Sequence, residues 1–298
     1  MAEVNIGACS FNYPSWEGLV YSGKEKADFL NQYSRKYNIV EIDRWFWSLF
    51  GEDNVSLPDP DTVKEYLIST PNDFRFAIKV PNSITLTHFY RRKQSDPLIP
   101  NPHFLSNSIF NTFLELIEPL RKKIDCLIFQ FEYLNRQKMA SHKLLIEKLD
   151  SFFSGQNYGY PTAIETRNKN YLNKTYFTFL NSYGIYHVFL EGYWMPHIEE
   201  IYFKYYDFIR DKTVIRLMGY DRKGIEKKTD SKWNRVVDPR DNDILAIAKM
   251  IRDLLHRDIS VTVNINNHYE GSAPITIEKI RNLLHTADFQ MSGKEGIV

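Results

Sequence analysis

Cysteine is nearly absent from this chain. Only Cys9 and Cys126 occur among 298 residues, in unrelated local contexts, which argues against a disulfide framework and a cysteine-rich metal site. Charge of one sign is missing as well. The formal net charge of +1 disfavours a globally basic nucleic-acid binder but leaves room for a local patch. No apolar stretch approaches the roughly 20 residues of a membrane span. The opening MAEVNIGACS has neither a basic leader nor a long apolar core. Together these gaps predict a soluble, cytoplasmic protein that does not engage membranes. There is also no G-x-x-x-x-G-K-[ST], G-x-G-x-x-G, H-E-x-x-H or G-x-S-x-G. The few histidines do not cluster at strand ends as a multinuclear zinc site requires, so no metal ligand is assigned and no cofactor is required. Isolated carboxylates can still hold Mg²⁺.

What remains is a chain that is 43% apolar and 15% aromatic, long enough for one large core. Short β-branched or continuous apolar runs alternate with stretches of helical spacing. Strands are expected at 4–9, 39–43, 74–80, 126–131, 162–167, 186–190, 213–219 and 261–265. Helices are expected at 26–37, 62–69, 109–120, 142–153, 173–183, 244–257 and 275–284. About eight alternations at βα spacing, with no evident linker, predict a single (β/α)8 TIM-type barrel spanning residues 1–298. Residues 82–107 form the longest stretch without a regular pattern, and loops of that length are usually functional or disordered.

Polar groups inside apolar strands carry the functional signal. Period-two alternation places Glu41 with Asp43, Ala77 with Lys79, and Glu165 with Arg167 on common faces. Gln130, Arg216 and Asn266 are read as lying similarly in their own strands. Inward positions near the C-terminal ends of barrel strands face the site, so these side chains can converge there. The competing reading is a buried ionic lattice that serves only the fold. The C-terminal stretch VTVNINNHYEGSAP, residues 261–274, reads as the last strand and a polar tip, with Asn266, Asn267 and His268 delivered to a ligand. Lys79 is either a Schiff-base lysine or a counter-ion to Glu41 or Glu165. The loop run Arg91-Arg92-Lys93 either contacts phosphates or is simply solvated. Trp16, Trp45, Phe46, Trp47 and Trp194 either stack on rings or pack loops over the barrel mouth.

Several ordered pieces resemble one family. They are Ile6-Gly7 with Tyr13-Pro14-Ser15-Trp16, Val40-Glu41-Ile42 with Phe46, and Phe74 to Pro81 with Ile84-Thr85 and His88. Further along come Phe129-Gln130-Phe131, Ala163 to Arg167, Ile215-Arg216-Leu217 with Gly219, and above all NNHYEGSAP. Together they resemble the YecE-like family, known as domain of unknown function 72, from about residue 4 to 285. The resemblance implies a TIM-type barrel and no established activity. By fold analogy with xylose-isomerase and endonuclease-IV barrels, it suggests sugar or nucleic-acid phosphates. The chain departs from the family pattern at Asp43-Arg44-Trp45, at Glu132-Tyr133 and at Met218, the last removing a potential base or ligand.

The leading expectation is an enzyme acting on a phosphate-bearing or nucleotide-like ligand. Glu41, Lys79, Glu165 and His268 are its candidate catalytic residues. Trp16, Gln130, Arg167, Arg216, Asn266 and Asn267 are its candidate ligand-binding residues. The alternatives are a non-catalytic nucleic-acid-binding protein, and a sugar isomerase or glycosidase-like enzyme using paired carboxylates.

Overall fold

Apolar runs become parallel strands, and intervening helices return the chain to the same end each time, as a sheet buried on both faces requires. The computed structural model describes residues 2–23, 28–51, 54–91, 93, 95–154 and 158–292, with side chains as far as 285. In the first half the elements are β1 (Val4–Cys9), α1 (Phe29–Lys36), β2 (Ile39–Ile42), β3 (Leu49–Gly51), β4 (Asn54–Val55), α2 (Pro60–Ile68), β5 (Arg75–Lys79), α3 (Asn82–Thr85), α4 (Asn107–Ile117), β6 (Ile124–Gln130) and α5 (His142–Phe153). There follow β7 (Thr162–Glu165), α6 (Lys174–Ser182), β8 (Tyr186–Gly192), α7 (Ile198–Lys204), β9 (Lys212–Gly219), α8 (Arg222–Thr229), α9 (Asp241–His256), β10 (Ser260–Ile265) and α10 (Ala273–Ser292). The strand order β1-β10-β9-β8-β7-β6-β5-β2 closes an eight-stranded α/β barrel, the expected fold class. A separate ribbon pairs β3 with β4 antiparallel.

Local signals explain many boundaries. Asp59 accepts the Thr62 N–H at 3.0 Å, with Pro60 in the first helical turn of α2. Ser106, Ser141, Asn173 and Asp221 likewise cap α4, α5, α6 and α8. Two helices lie where no periodicity predicts them: α7, of seven residues, and α8, which is charge-rich and interrupted by Gly224. The stretch 82–107 is more ordered than expected. It contains α3, and the Asn101 Nδ2 donates to Ser83 O at 2.8 Å and Leu86 O at 2.6 Å, tying its ends together. Lys26, at the start of the expected first helix, lies outside the described residues.

Contacts divide the chain into two compact units: a first, Met1–Ile39 with Phe189–Val298, and a second, Val40–Val188. Both divisions fall inside strands, β2 and β8, and neither falls in a linker. In the first unit, β10 pairs with β1 and β9, and the register sets Gly7, Asn264 and Arg216 side by side. The ends of β8, β9 and β10 approach so closely that side chains are excluded. Gly219 has φ +78°, and a Cβ there would meet the His268 carbonyl oxygen at 2.4 Å. A Cβ on Gly192, φ +131°, would meet the Gly219 carbonyl oxygen at 2.3 Å. In the second unit, β5, β6 and β7 pair in sequence with Gln130 beside Glu165. Its outer core is aromatic: Phe110 packs edge-on against Phe129, ring centroids 5.3 Å apart, and is tilted against Phe152 at 5.6 Å. Among the described residues, no helix is long and apolar enough to cross a membrane.

Candidate functional site

A parallel barrel delivers its inward strand ends, and the loops after them, to one face. In the second unit those ends carry ion pairs. Lys79, the last residue of β5, is buried and sits 2.5 Å from Asp43 Oδ1, just beyond β2, with its ammonium 3.7 Å from the centre of the Phe46 ring. The Lys79 side chain is 6% exposed and that of Asp43 41%, so the pair turns its carboxylate outward. At the end of β7, Arg167 Nε donates to Glu165 Oε1 at 3.1 Å, with the arginine 22% exposed and the glutamate wholly buried. Lys138 holds Glu132 at 2.6 Å. Each cation already holds a carboxylate.

Two exposed aromatic rings lie on the loops that follow β2 and β5. Trp47 and Tyr90 lie with centroids 6.1 Å apart, each 54% exposed. Burial raises the Tyr90 phenol above its ordinary value and the Glu132 carboxylate adds to this, while Arg167 and a hydrogen bond to Asn82 oppose it. The Tyr90 hydroxyl therefore lies in the field of both Glu132 and Arg167. Asn82 also accepts the Ser48 and Leu49 N–H groups at 2.9 Å each, pinning the turn that carries Trp47. His88 Nδ1 lies 2.9 Å from Thr87 Oγ1, and burial, followed by Lys138, lowers its basicity.

The first unit uses its acids differently. Glu191, near the end of β8, receives His197 Nδ1 on Oε1 at 2.9 Å, the Tyr220 hydroxyl on the same oxygen, and the Ile198 N–H on Oε2 at 3.0 Å. The turn between them holds Tyr193 and Trp194 in left-handed backbone, φ 51° and 65°. Glu226 on α8 accepts from Arg222 Nε at 2.8 Å and stands 3.0 Å from His268 Nε2.

The NNHYEGSAP stretch is chiefly a clasp. Asn267 Oδ1 accepts the Ala273 N–H at 2.9 Å at the start of α10. Buried Glu270 accepts the Arg240 N–H at 2.9 Å, Lys279 Nζ at 2.8 Å and Thr276 Oγ1 at 2.7 Å. Asn266 lies beyond the strand and not within it, and its Oδ1 accepts the His268 N–H at 3.0 Å. The strand's interior amide is Asn264, fully buried, with neither side-chain atom hydrogen-bonded among the described residues.

Several expected roles change on this geometry. Trp16 is completely buried, tilted against Tyr13 at 4.7 Å and stacked on Tyr21 and Tyr33, so no ring face is left for a ligand. Asn267 is structural through Oδ1. His268 has both ring nitrogens occupied, Nδ1 by Asn266 and Nε2 by Glu226, and burial lowers its basicity, which leaves no nitrogen for general-base work. Glu41 and Glu165 have no exposed surface, and the exposed members beside them are Asp43 and Arg167. Lys79 is a counter-ion to Asp43. Gln130 and Arg216 are both buried on their strands, Arg216 beside Asn264 in the register. Arg92 lies outside the described residues. Sequence reading missed Glu191, although it ends an apolar run as Glu165 does. No sequence signal points to His197.

The family profile described as "Protein of unknown function DUF72" matches residues 5–295. A DUF72 family protein from Enterococcus faecalis V583 is similar in structure, with TM-score 0.66 and 18% identity over 95% of this chain and 95% of its own. One from Thermotoga maritima MSB8 has TM-score 0.65 and 22% identity over 95% of this chain and 99% of its own. At such identities the likeness carries the fold alone. No curated protein matches the sequence.

Proposed function

The chain belongs to the DUF72 family, and from that premise we propose that it is an enzyme acting on a ring-bearing polyhydroxyl ligand, a sugar or nucleoside, at the strand ends of the second unit. The observation that carries this reading is the pair of half-exposed rings, Trp47 and Tyr90, 6.1 Å apart, with the Tyr90 phenol in the field of Glu132 and Arg167. Exposed aromatic rings suit the faces of sugars and bases. Lys79, Arg167 and Lys138 are each compensated by a carboxylate, which favours a ligand rich in hydroxyls over one recognised by bare phosphate charge. Asp43, the most open carboxylate of these pairs, is the general acid–base group, with Lys79 holding its charge in place. Arg167 donates to ligand hydroxyls, and Glu165 fixes its orientation. Cys9 and Cys126, both buried and not joined in a disulfide, are in keeping with a cytoplasmic setting.

Tryptophan fluorescence titrated with methyl glycosides, nucleosides and their 5′-phosphates tests the reading. Quenching by a glycoside or nucleoside that is lost in Trp47→Ala supports it. Turnover of that ligand should fall at least a hundredfold in Asp43→Asn, in line with the effect of removing a general acid–base group. Binding confined to the phosphorylated members would instead favour a phosphate-recognising site. Quenching only by oligonucleotides, falling steeply with salt, would favour a nucleic-acid-binding protein.

A further inference from the structure

We propose that Glu191, His197 and Glu199, in the first unit, bind one first-row divalent cation of the Zn²⁺ or Mn²⁺ class. One ligand atom from each, a carboxylate oxygen or an imidazole nitrogen, lies within 4.8 Å of the other two. At metal–ligand distances of about 2.0–2.2 Å, donor atoms sharing one ion lie within about 4.4 Å of each other. His197 is exposed and Glu199 partly exposed, so a small side-chain adjustment closes that gap. Glu191 is the fixed member. It is buried near the end of β8, and the Ile198 N–H holds its Oε2 at 3.0 Å, which directs Oε1 towards His197 Nδ1, 2.9 Å away.

A second observation comes from Tyr269. The residue is fully buried, yet its hydroxyl has no hydrogen-bond partner among the described residues, an arrangement that is costly unless something else occupies the position. That hydroxyl lies in the field of Glu191 and Asp243. The Arg240 guanidinium is 4.9 Å from the centre of the Tyr220 ring and 5.7 Å from that of Tyr269, so both phenols border the same cluster. Tyr220 bonds Glu191 and lies 3.3 Å from His197 Nδ1. A cation held by the triad would keep coordinated water, and such a water supplies the partner that Tyr269 lacks. Helix capping accounts for Glu191 Oε2, and His197 and Tyr220 for Oε1, but none of these accounts for the approach of Glu199. One imidazole nitrogen among carboxylate oxygens favours Zn²⁺, Mn²⁺, Fe²⁺ or Co²⁺ over Ca²⁺ and Mg²⁺. None of these residues belongs to the site proposed in the second unit, so either reading can fail alone.

The test is calorimetric titration of the full chain, freed of metal by a chelator, with ZnCl₂ and with MnCl₂. The wild type is expected to bind one ion per chain. His197→Gln and Glu199→Gln, substitutions at side chains that are at least partly exposed, should each weaken binding at least tenfold. Co²⁺ should give a visible absorption band in the wild type that changes in His197→Gln, reporting the imidazole ligand directly. Glu191→Gln is not the deciding variant, because Glu191 also holds the start of α7. Absence of binding in the wild type overturns the proposal. So does unchanged affinity in the His197→Gln/Glu199→Gln double variant.

Discussion

In the second unit, Lys79, Arg167 and Lys138 each hold a carboxylate at or beyond a strand end. In the first, Glu270 likewise holds Lys279, but two acids engage histidine: Glu191 with a tyrosine and a backbone N–H, and Glu226, on α8, with an arginine. The second unit thus sets balanced pairs of opposite charge at and beyond its strand ends. Histidine can exchange a proton or accept a metal, so the first unit's acids sit in a chemistry that responds to its surroundings. One barrel thus carries two kinds of polar strand end, and residue type alone does not separate them. The partner decides.

The largest effect that would sharpen this contrast concerns Glu270, which accepts three bonds while fully buried. Glu270→Ala leaves the Arg240 N–H without its acceptor and Lys279 with Asp241 alone, and losing three bonds to a buried carboxylate costs about 3 kcal/mol. Chemical denaturation should show that loss. A cost below about 1 kcal/mol would mean the tip of β10 is not the clasp described above.

Next comes pH. His187, buried in the second unit beside Tyr176, has its pKa lowered to about 3, mainly by burial, with Glu165 opposing. An unfolded imidazole takes up its proton near about 6.5. Between those values the unfolded chain binds more protons, so the neutral form's contribution is complete above about 6.5 and is lost as pH falls towards 3. The slope is at most about 1.4 kcal/mol per pH unit. His187→Gln should flatten the fall in stability on acidification, and an unchanged pH profile would show that this histidine is not held neutral.

A smaller effect is expected at the rim. Trp47→Ala and Tyr90→Ala should each weaken ligand binding by about 1–3 kcal/mol, the usual worth of a stacked ring, with little change in melting temperature. If both variants bind normally, the exposed rings of the second unit have no recognition role. Smallest of all is the exposed pair Lys143–Glu147, 3.7 Å apart on α5. Lys143→Ala should change stability by less than about 0.5 kcal/mol, against which the buried contacts can be scaled.

How much of this was legible in the sequence depended on whether local or tertiary forces decide. The bounds of β1 and α5 follow directly from apolar alternation and from the Ser141 cap. The strand-end acids Glu41 and Glu165 were legible for the same reason, since a charge closing an apolar run stands out. Exposure was not legible. Trp45 is buried and Trp47 half-exposed because a 3₁₀ turn at Arg44–Phe46 rotates the chain between them. Asp43 opens to solvent while Glu41, two residues earlier, does not. His197 reaches Glu191 through a turn with two left-handed non-glycine residues, which no propensity predicts. The polar tip at 266–271 read as a ligand site because buried amides and acids need partners. Apart from the unpaired Asn267 Nδ2, the partners found there are mostly backbone N–H groups and the side chains of His268, Lys279 and Thr276.

The central claim is that the second unit recognises a ring-bearing polyhydroxyl ligand through Trp47, Tyr90 and the Asp43 and Arg167 pairs. Its most direct test is the melting temperature of the wild type and of Trp47→Ala against one panel of methyl glycosides and nucleosides. A ligand at about 100 times its dissociation constant adds roughly 2.7 kcal/mol of stability, which a melting curve resolves. The account predicts that at least one ligand raises the wild-type melting temperature and that Trp47→Ala responds much less. An equal shift in both proteins, or no shift from any member of the panel, would contradict it.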